Sequence, residues 1–281
     1  MKTTNFSERT TAESRPWQLL MFDKTLKKKQ RFHALTRLLG EISPDERCLL
    51  VTCGDNNGAM NYHLREIGGQ WTWADFESRS IPEMSSLLGD DVIHVVDDRL
   101  PLDDDSFDRV ITIDVHEHID DPHPFTKELA RITRDGGQVV ITTPGGDQRK
   151  LANVLKNFVG MRKEKYGHAR DGLSASELRE LLEGADLNFT ADRSFSRFFT
   201  ELVELGINFL YVNILSKKKD VEVEEGTIAP ATGEQLKSVG KAYHMYSLAY
   251  PFFWLFSRLD LLLFFTRGYV EVAAGRKGDA H

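Results

Sequence analysis

The chain has 281 residues and a formal charge of -7. That length can bury a full core, while the acidic balance argues against a general nucleic-acid binder, which needs an excess of Lys and Arg on at least one face. The only cysteines, Cys48 and Cys53, fall in one expected strand with opposite side-chain directions, which excludes a disulfide framework and points to a reducing compartment.

Residues 1–15 are polar and hold no apolar stretch of the signal-peptide kind, so the expected location is the cytoplasm. Trp17 to Ile42 reads as one amphipathic helix, with Leu19, Leu20, Phe22, Leu26, Phe32, Leu35 and Leu38 spaced to share broad faces. It carries Lys24, Lys27, Lys28, Lys29 and Arg31, either as a solvated face or as a patch for an anionic lipid surface or substrate. Ser43-Pro44-Asp45 ends it.

From Cys48 the pattern alternates between strand and helix. Strands are expected at Cys48 to Cys53, Trp71 to Phe76, Val92 to Val96, Arg109 to Ile113 and Gln138 to Thr143, with helices at Ala59 to Ile67, Pro82 to Leu88 and Pro122 to Thr133. This is the signature of an α/β fold: a Rossmann-like, doubly wound, mostly parallel sheet whose ligands sit beyond the carboxyl ends of the strands. Two more strands, Leu187 to Ser194 and Gly268 to Gly275, bring the sheet to seven. Ser174-Ala-Ser-Glu177 has the form of a capping box.

Between the last two strands lies a segment too long for an ordinary connection and rich in aromatic residues, from Phe195, Phe198 and Phe199 to Phe264 and Phe265. Leu248 to Phe265 is nearly apolar but is interrupted by Pro251, Arg258 and Asp260, a poor pattern for a spanning helix. Three roles are open to it: the packed core of a helical lid, a helix in a membrane interface, or the roof of an apolar pocket. The expected domains are an N-terminal segment over 1–45, a cofactor-binding core over 46–195, a helical insertion over 196–267 and a last core strand with tail over 268–281.

Four motifs in order carry a resemblance. They are Val51-Thr-Cys-Gly-Asp-Asn-Asn-Gly58; Ala74-Asp-Phe-Glu77; Leu100-Pro-Leu-Asp-Asp-Asp-Ser-Phe-Asp108; and Asp114-Val-His-Glu-His-Ile-Asp-Asp-Pro122, followed by Glu128-Leu-Ala-Arg131 and Gly136-Gly137. Residues 48–144 resemble the cofactor half of a class I S-adenosylmethionine-dependent methyltransferase, of the broad group that includes quinone-biosynthesis methyltransferases. The resemblance implies that Gly54 and Gly58 let the first turn approach the amino-acid end of the cofactor. It further implies that Asp75 accepts the ribose hydroxyls, Phe76 packs on adenine, Asp98 or its neighbour Asp97 takes the adenine amino group, and Asp114 lines the methionine side.

Two positions depart from the family pattern. Thr52 stands where an acid is usual, leaving support of the cofactor's ammonium group to Asp55 or Asp114, and Asn56 stands where a glycine is usual. A nicotinamide dinucleotide is disfavoured, because the turn lacks the third small residue of that fingerprint in register. His116, at the expected lip of the reacting methyl, and His168 are the candidate bases, with Tyr166 and Arg170 as candidate acceptor contacts. His116, Glu117, His118, Asp120, Asp121 and His123 lack the spacing of a hydrolytic zinc site, so no metal is expected.

The expected activity is methyl transfer from S-adenosylmethionine, leaving S-adenosylhomocysteine, to a small apolar or lipid-like acceptor beneath the aromatic insertion. Peripheral contact with the cytoplasmic face of a membrane is part of that expectation. The competing class is a non-catalytic protein that keeps the fold and docks a partner or membrane.

Overall fold

A computed structural model describes residues 15–54, 56–96, 99–162, 167–212 and 233–278. Asp55, Asp97, Asp98 and Tyr166 lie outside these residues.

The first strand explains the layering. In β1 (Arg47–Thr52) every residue after Arg47 is buried, so the strand has no solvent face and needs cover on both sides. Parallel neighbours β2 (Gln70–Asp75) and β4 (Phe107–Ile113) flank it. Beyond them lie β3 (Val92–His94) and β5 (Thr133–Pro144), and β7 (Val270–Lys277) runs antiparallel between β5 and β6 (Leu187–Phe195). The strand order β3-β2-β1-β4-β5-β7-β6 reverses direction between β1 and β4, which makes their carboxyl ends the crevice where ligands bind in such sheets. The sheet is seven-stranded and mostly parallel, with a helical, aromatic-rich insertion before its last strand, as the sequence predicts.

Two apolar layers cover it. One packs α5 (Pro122–Ile132) and α7 (Ala175–Glu183) through Phe125, Leu129, Leu178 and Leu182. The other packs α3 (Ala59–Arg65), α4 (Ile81–Leu88) and the N-terminal helices through Leu35, Leu39, Leu64 and Met84. The capping box at the start of α7 forms, with the Ser174 hydroxyl accepting from the Glu177 amide and the Glu177 carboxylate accepting from the Ser174 amide.

The N-terminal segment is two helices rather than the single one expected. α1 (Trp17–Asp23) ends at Lys24, and Thr25 adopts an extended conformation before α2 (Leu26–Leu39). The Lys24 carbonyl freed at this break accepts the hydroxyl of Tyr246, from the insertion. A second side-chain contact holds the same corner, the Thr25 hydroxyl donating to the Met21 carbonyl at 2.9 Å.

Between β6 and β7 the chain forms α8 (Phe198–Leu210), α9 (Gly233–Ser238), α10 (Gly240–Ser257) and a 3-10 turn over Arg258–Leu263. α6 (Leu151–Phe158) follows β5 and packs against α8. A small core of Leu26, Val203 and Tyr250, joined by Ile207, Tyr246 and Phe253, ties α2, α8 and α10 together. Asp260 is buried because it caps α8, accepting the amides of Arg197 at 3.1 Å, Phe199 at 2.8 Å and Thr200 at 3.2 Å.

Candidate active site

A cavity of about 320 Å³ opens over the carboxyl ends of β1 and β4. Its floor is Thr52, Cys53, Gly54, Asn56, Ile113 and Asp114, and its far side is made by α2, α6 and α8.

The first turn is held by its own polar side chains. Gly54 and Gly58 have φ of 63° and 87°, in the left-handed region that favours glycine. Only Gly54 lines the cavity; a Cβ on Gly58 would stand 3.1 Å from the Met84 Cα, so that glycine serves the packing of α3 on α4. The Asn56 side-chain amide donates to Thr52 Oγ1 at 3.0 Å and to Asn61 Oδ1 at 2.9 Å while its oxygen accepts the Gly58 amide at 3.1 Å. An asparagine in place of the usual glycine therefore cross-links the turn.

Asp75 is fully buried and does not line the cavity. The Thr52 hydroxyl donates to Oδ2 at 2.5 Å, and the amides of Gly54 and Glu77 donate to Oδ1 at 3.2 and 2.7 Å. Burial raises its pKa even though these donors oppose the rise. In this geometry the side chain expected to meet the ribose clamps the β1 turn to the end of β2. It also accounts for Thr52, since an acid there would face the buried Asp75 carboxylate. Two residues on, Glu77 does line the cavity, paired with Arg79 at 3.1 Å. Phe76 lies edge-on against Phe125 with ring centres 5.5 Å apart and does not line the cavity.

After β4, Asp114 takes a left-handed φ of 50°, held by Arg31 of α2 at 2.5 Å and by its amide donating to the Thr142 carbonyl at 3.0 Å. Its Oδ1 is buried with no hydrogen-bond partner among the described residues. His116 departs from expectation: it is completely buried between β4 and α5, with Thr112 Oγ1 at 3.4 Å, Thr126 Oγ1 at 3.3 Å and the Phe125 ring centre at 5.5 Å. Burial lowers its pKa to about 3, so it is a neutral core residue and not a pocket base.

The turn that sends His116 inward sends Glu117 and His118 into the cavity. Glu117 is fully buried; Oε2 accepts the Thr143 hydroxyl at 3.0 Å, and burial together with nearby Asp114 raises its pKa well above the usual carboxylate range. The Glu117 carbonyl accepts the amides of Ala169 at 2.9 Å and Arg170 at 3.2 Å, which brings the segment before α7 onto the β4 loop. His168 thereby enters the cavity, edge-on to His118 with ring centres 4.8 Å apart. Burial lowers the pKa of both imidazoles, that of His168 to about 4. Arg170 goes elsewhere: its guanidinium donates to the Asp120 carbonyl, so it braces the loop and does not line the cavity.

The lysines of the N-terminal helices are a surprise of the tertiary structure. Lys27, Lys28 and Arg31 line the cavity together with Lys156 of α6. They face Glu201 and Glu204 of α8: Glu201, fully buried, pairs with Lys27 at 2.9 Å and Lys156 at 2.5 Å. Burial would raise the Glu201 pKa, but Lys156, Lys27 and the Ser196 hydroxyl outweigh it and hold the carboxyl below the usual range. Glu204 accepts the Lys27 amide at 3.4 Å, and burial raises its pKa. None of the aromatic side chains described in α8 and α10 lines the cavity.

Residues 49–141, from β1 into β5, match a family model described as a methyltransferase domain. No curated protein matches the chain. Solved structures with a similar fold include BH2331 of Bacillus halodurans, assigned as a methyltransferase, at 15% identity over 87% of this chain and 98% of that one with a TM-score of 0.52. Phosphoethanolamine N-methyltransferase 2 of Haemonchus contortus, solved with S-adenosylmethionine, is 18% identical over 89% of this chain and 53% of that one, with a TM-score of 0.55. A Haloferax volcanii methyltransferase in complex with the Trm112 activator is 18% identical over 93% and 96%, with a TM-score of 0.51. Identities this low carry the fold alone, and the domain match carries the chemistry. Residues 49–141 match a methyltransferase domain on a sheet of class I methyltransferase topology, and the cofactor of such domains is S-adenosylmethionine.

The cavity fits that cofactor on its own features: a left-handed glycine at the turn, an orphaned Asp114 oxygen, and an acid, Glu77, at the end of β2. Bound there, the cofactor supplies an electrophilic sulfonium methyl.

Proposed function

We propose that the chain transfers this methyl to a small polar acceptor held between α2, α6 and α8. The observation that carries the reading is the set of Lys27, Lys28, Lys156, Glu201 and Glu204 lining the cavity. An apolar guest would strip the water from these ion pairs and replace none of its hydrogen bonds, whereas a polar one replaces them. Glu77 takes the ribose hydroxyls, the Asp114 Oδ1 takes the ammonium group, and the first-turn amides take the carboxylate. His168, neutral near pH 7, accepts a proton from the acceptor, and the chamber supplies positioning for an in-line displacement.

The test is incubation with methyl-labelled cofactor and either aqueous or lipid extracts of cells. Label entering water-soluble products is the expected result; label confined to the organic phase overturns the polar acceptor. Glu77→Ala should weaken cofactor binding by about tenfold in calorimetry, a loss of about 1.4 kcal/mol. Unchanged affinity would remove Glu77 from the ribose site.

The apolar part of the insertion serves a different purpose. Leu248, Phe252, Leu255, Leu262, Phe264 and Phe265 are each exposed by 60% or more along α10 and the turn after it. No helix among the described residues is long and apolar enough to cross a membrane. Beside this face runs a groove lined by His33, Arg37, Arg193, Arg197 and Arg258. Apolar side chains next to arginines suit the interface of an anionic bilayer, and we read the face as its peripheral contact. Vesicles of mixed phosphatidylglycerol and phosphatidylcholine should sediment the chain, and Phe252→Ser with Phe264→Ser should release it. Equal binding to neutral vesicles, or self-association in place of vesicle binding, would sink this assignment.

A further inference from the structure

The cavity holds a trio that spacing along the chain does not reveal. Glu117, His118 and His168 come from two loops, and one ligand-type atom from each lies within 4.8 Å of the other two. All three line the same wall. Glu117 Oε1 is fully buried and has no hydrogen-bond partner among the described residues, although Oε2 is bonded to Thr143. A buried carboxylate oxygen left bare costs about 1–3 kcal/mol, so this one calls for a partner of positive character. His118 is already oriented for such a partner. With Nδ1 donating to the Gly167 carbonyl at 3.0 Å, Nε2 is the unprotonated nitrogen.

We infer that Glu117, His118 and His168 bind a first-row divalent transition cation in the acceptor half of the cavity. The donor set is two imidazole nitrogens and one carboxylate oxygen, which suits zinc and its neighbours rather than magnesium or calcium. Ligand bonds of about 2.1 Å place tetrahedral donors about 3.4 Å apart, so the trio closes by up to about 1.4 Å on binding, which rotation of the half-buried imidazoles can supply. A bound cation gives the bare Glu117 Oε1 a partner. A cation held by three protein ligands keeps a coordination position open in the cavity that Lys27, Lys156, Glu201 and Glu204 also line. An oxygen or nitrogen of the acceptor placed there is oriented beside Asp114 and the cofactor end of the cavity. In this state His168 is a ligand, and the acceptor's proton is acidified by the cation. This inference rests on the methyltransferase reading only for the acceptor's place; the cation site itself does not.

Calorimetry on the full chain after treatment with a chelator tests it, with zinc chloride as titrant and cobalt chloride as the spectroscopic probe. Expected are one tight site per chain, visible cobalt bands of a nitrogen-containing low-symmetry site, and a loss of zinc affinity of more than about tenfold in His168→Ala and in Glu117→Gln. His168 is half-buried in a loop, so its variant stays folded even where the buried Glu117→Gln does not, and circular dichroism checks both. Absence of a zinc site, or one indifferent to His168→Ala, overturns the inference. S-adenosylmethionine titrated into the same chelated protein separates the two readings: binding there with no zinc site leaves the cofactor assignment standing and removes only the cation.

Discussion

At the scale of single residues, burial decides which of several chemically competent side chains are available. His116 and His118 differ by two positions, yet one is sealed between Thr112 and Thr126 and the other lines the cavity. The sealed histidine makes a testable contribution to pH dependence. Its folded pKa, about 3, lies below the ordinary 6.5, so the stability it allows is complete above pH 6.5 and is lost as the pH falls through that value. Between pH 6.5 and 5 the loss is about 2 kcal/mol at about 1.4 kcal/mol per pH unit. Urea unfolding at pH 7 and pH 5 should show a drop smaller by roughly this amount in His116→Gln than in the wild type. Asp75 gives a second prediction at this scale. Asp75→Ala strands the Gly54 and Glu77 amides and costs about 2–5 kcal/mol, read from the urea midpoint, whereas a simple ribose ligand would leave stability unchanged.

At the scale of elements, α2, α6 and α8 act as one charged clamp because their lysines and glutamates neutralise one another out of water. Glu201 has a folded pKa below the ordinary 4.5, so it contributes stability above that pH and loses it as the pH falls further. Glu201→Gln should flatten the acid limb of the stability curve below about pH 4.5, and Glu201→Ala should cost about 2–3 kcal/mol because half-buried Lys27 and Lys156 lose their shared partner. At the other end of the molecule, Ser174→Ala removes a cap from α7 and should cost about 1 kcal/mol, with no effect on cofactor affinity. Asp260 shows how an element's meaning changes in three dimensions. In the sequence it is a charge that spoils an apolar run; in the fold it is the cap of a helix sixty residues earlier.

At the scale of the whole molecule, the cavity opens at the switch point of the sheet and is walled by α2, α6 and α8, which lie far apart along the chain. A ligand that fills the crevice binds only the folded state, so S-adenosylmethionine at a hundred times its dissociation constant should add about 2.7 kcal/mol of stability. For a chain of this size that is a rise in Tm of about 5 °C by scanning calorimetry, and no rise at saturating ligand would contradict the assigned cofactor.

The amino-acid sequence by itself determined the α/β alternation, the seven strands, the glycine-bearing first turn and the cofactor class. These rest on local signals: unbroken apolar runs such as Cys48 to Thr52, caps such as Ser174, and motifs whose residues are neighbours along the chain. Tertiary structure alone decided which polar residues face the cavity. Asp75 and Glu77 are both acids at the end of β2, and only the direction of the backbone after Thr52 assigns one to the turn and the other to the pocket. Lys27 and Glu201 are far apart in sequence, and nothing in either segment announces the other. Side-chain burial and long-range pairing are properties of the packed chain, set by contacts whose partners no local pattern records.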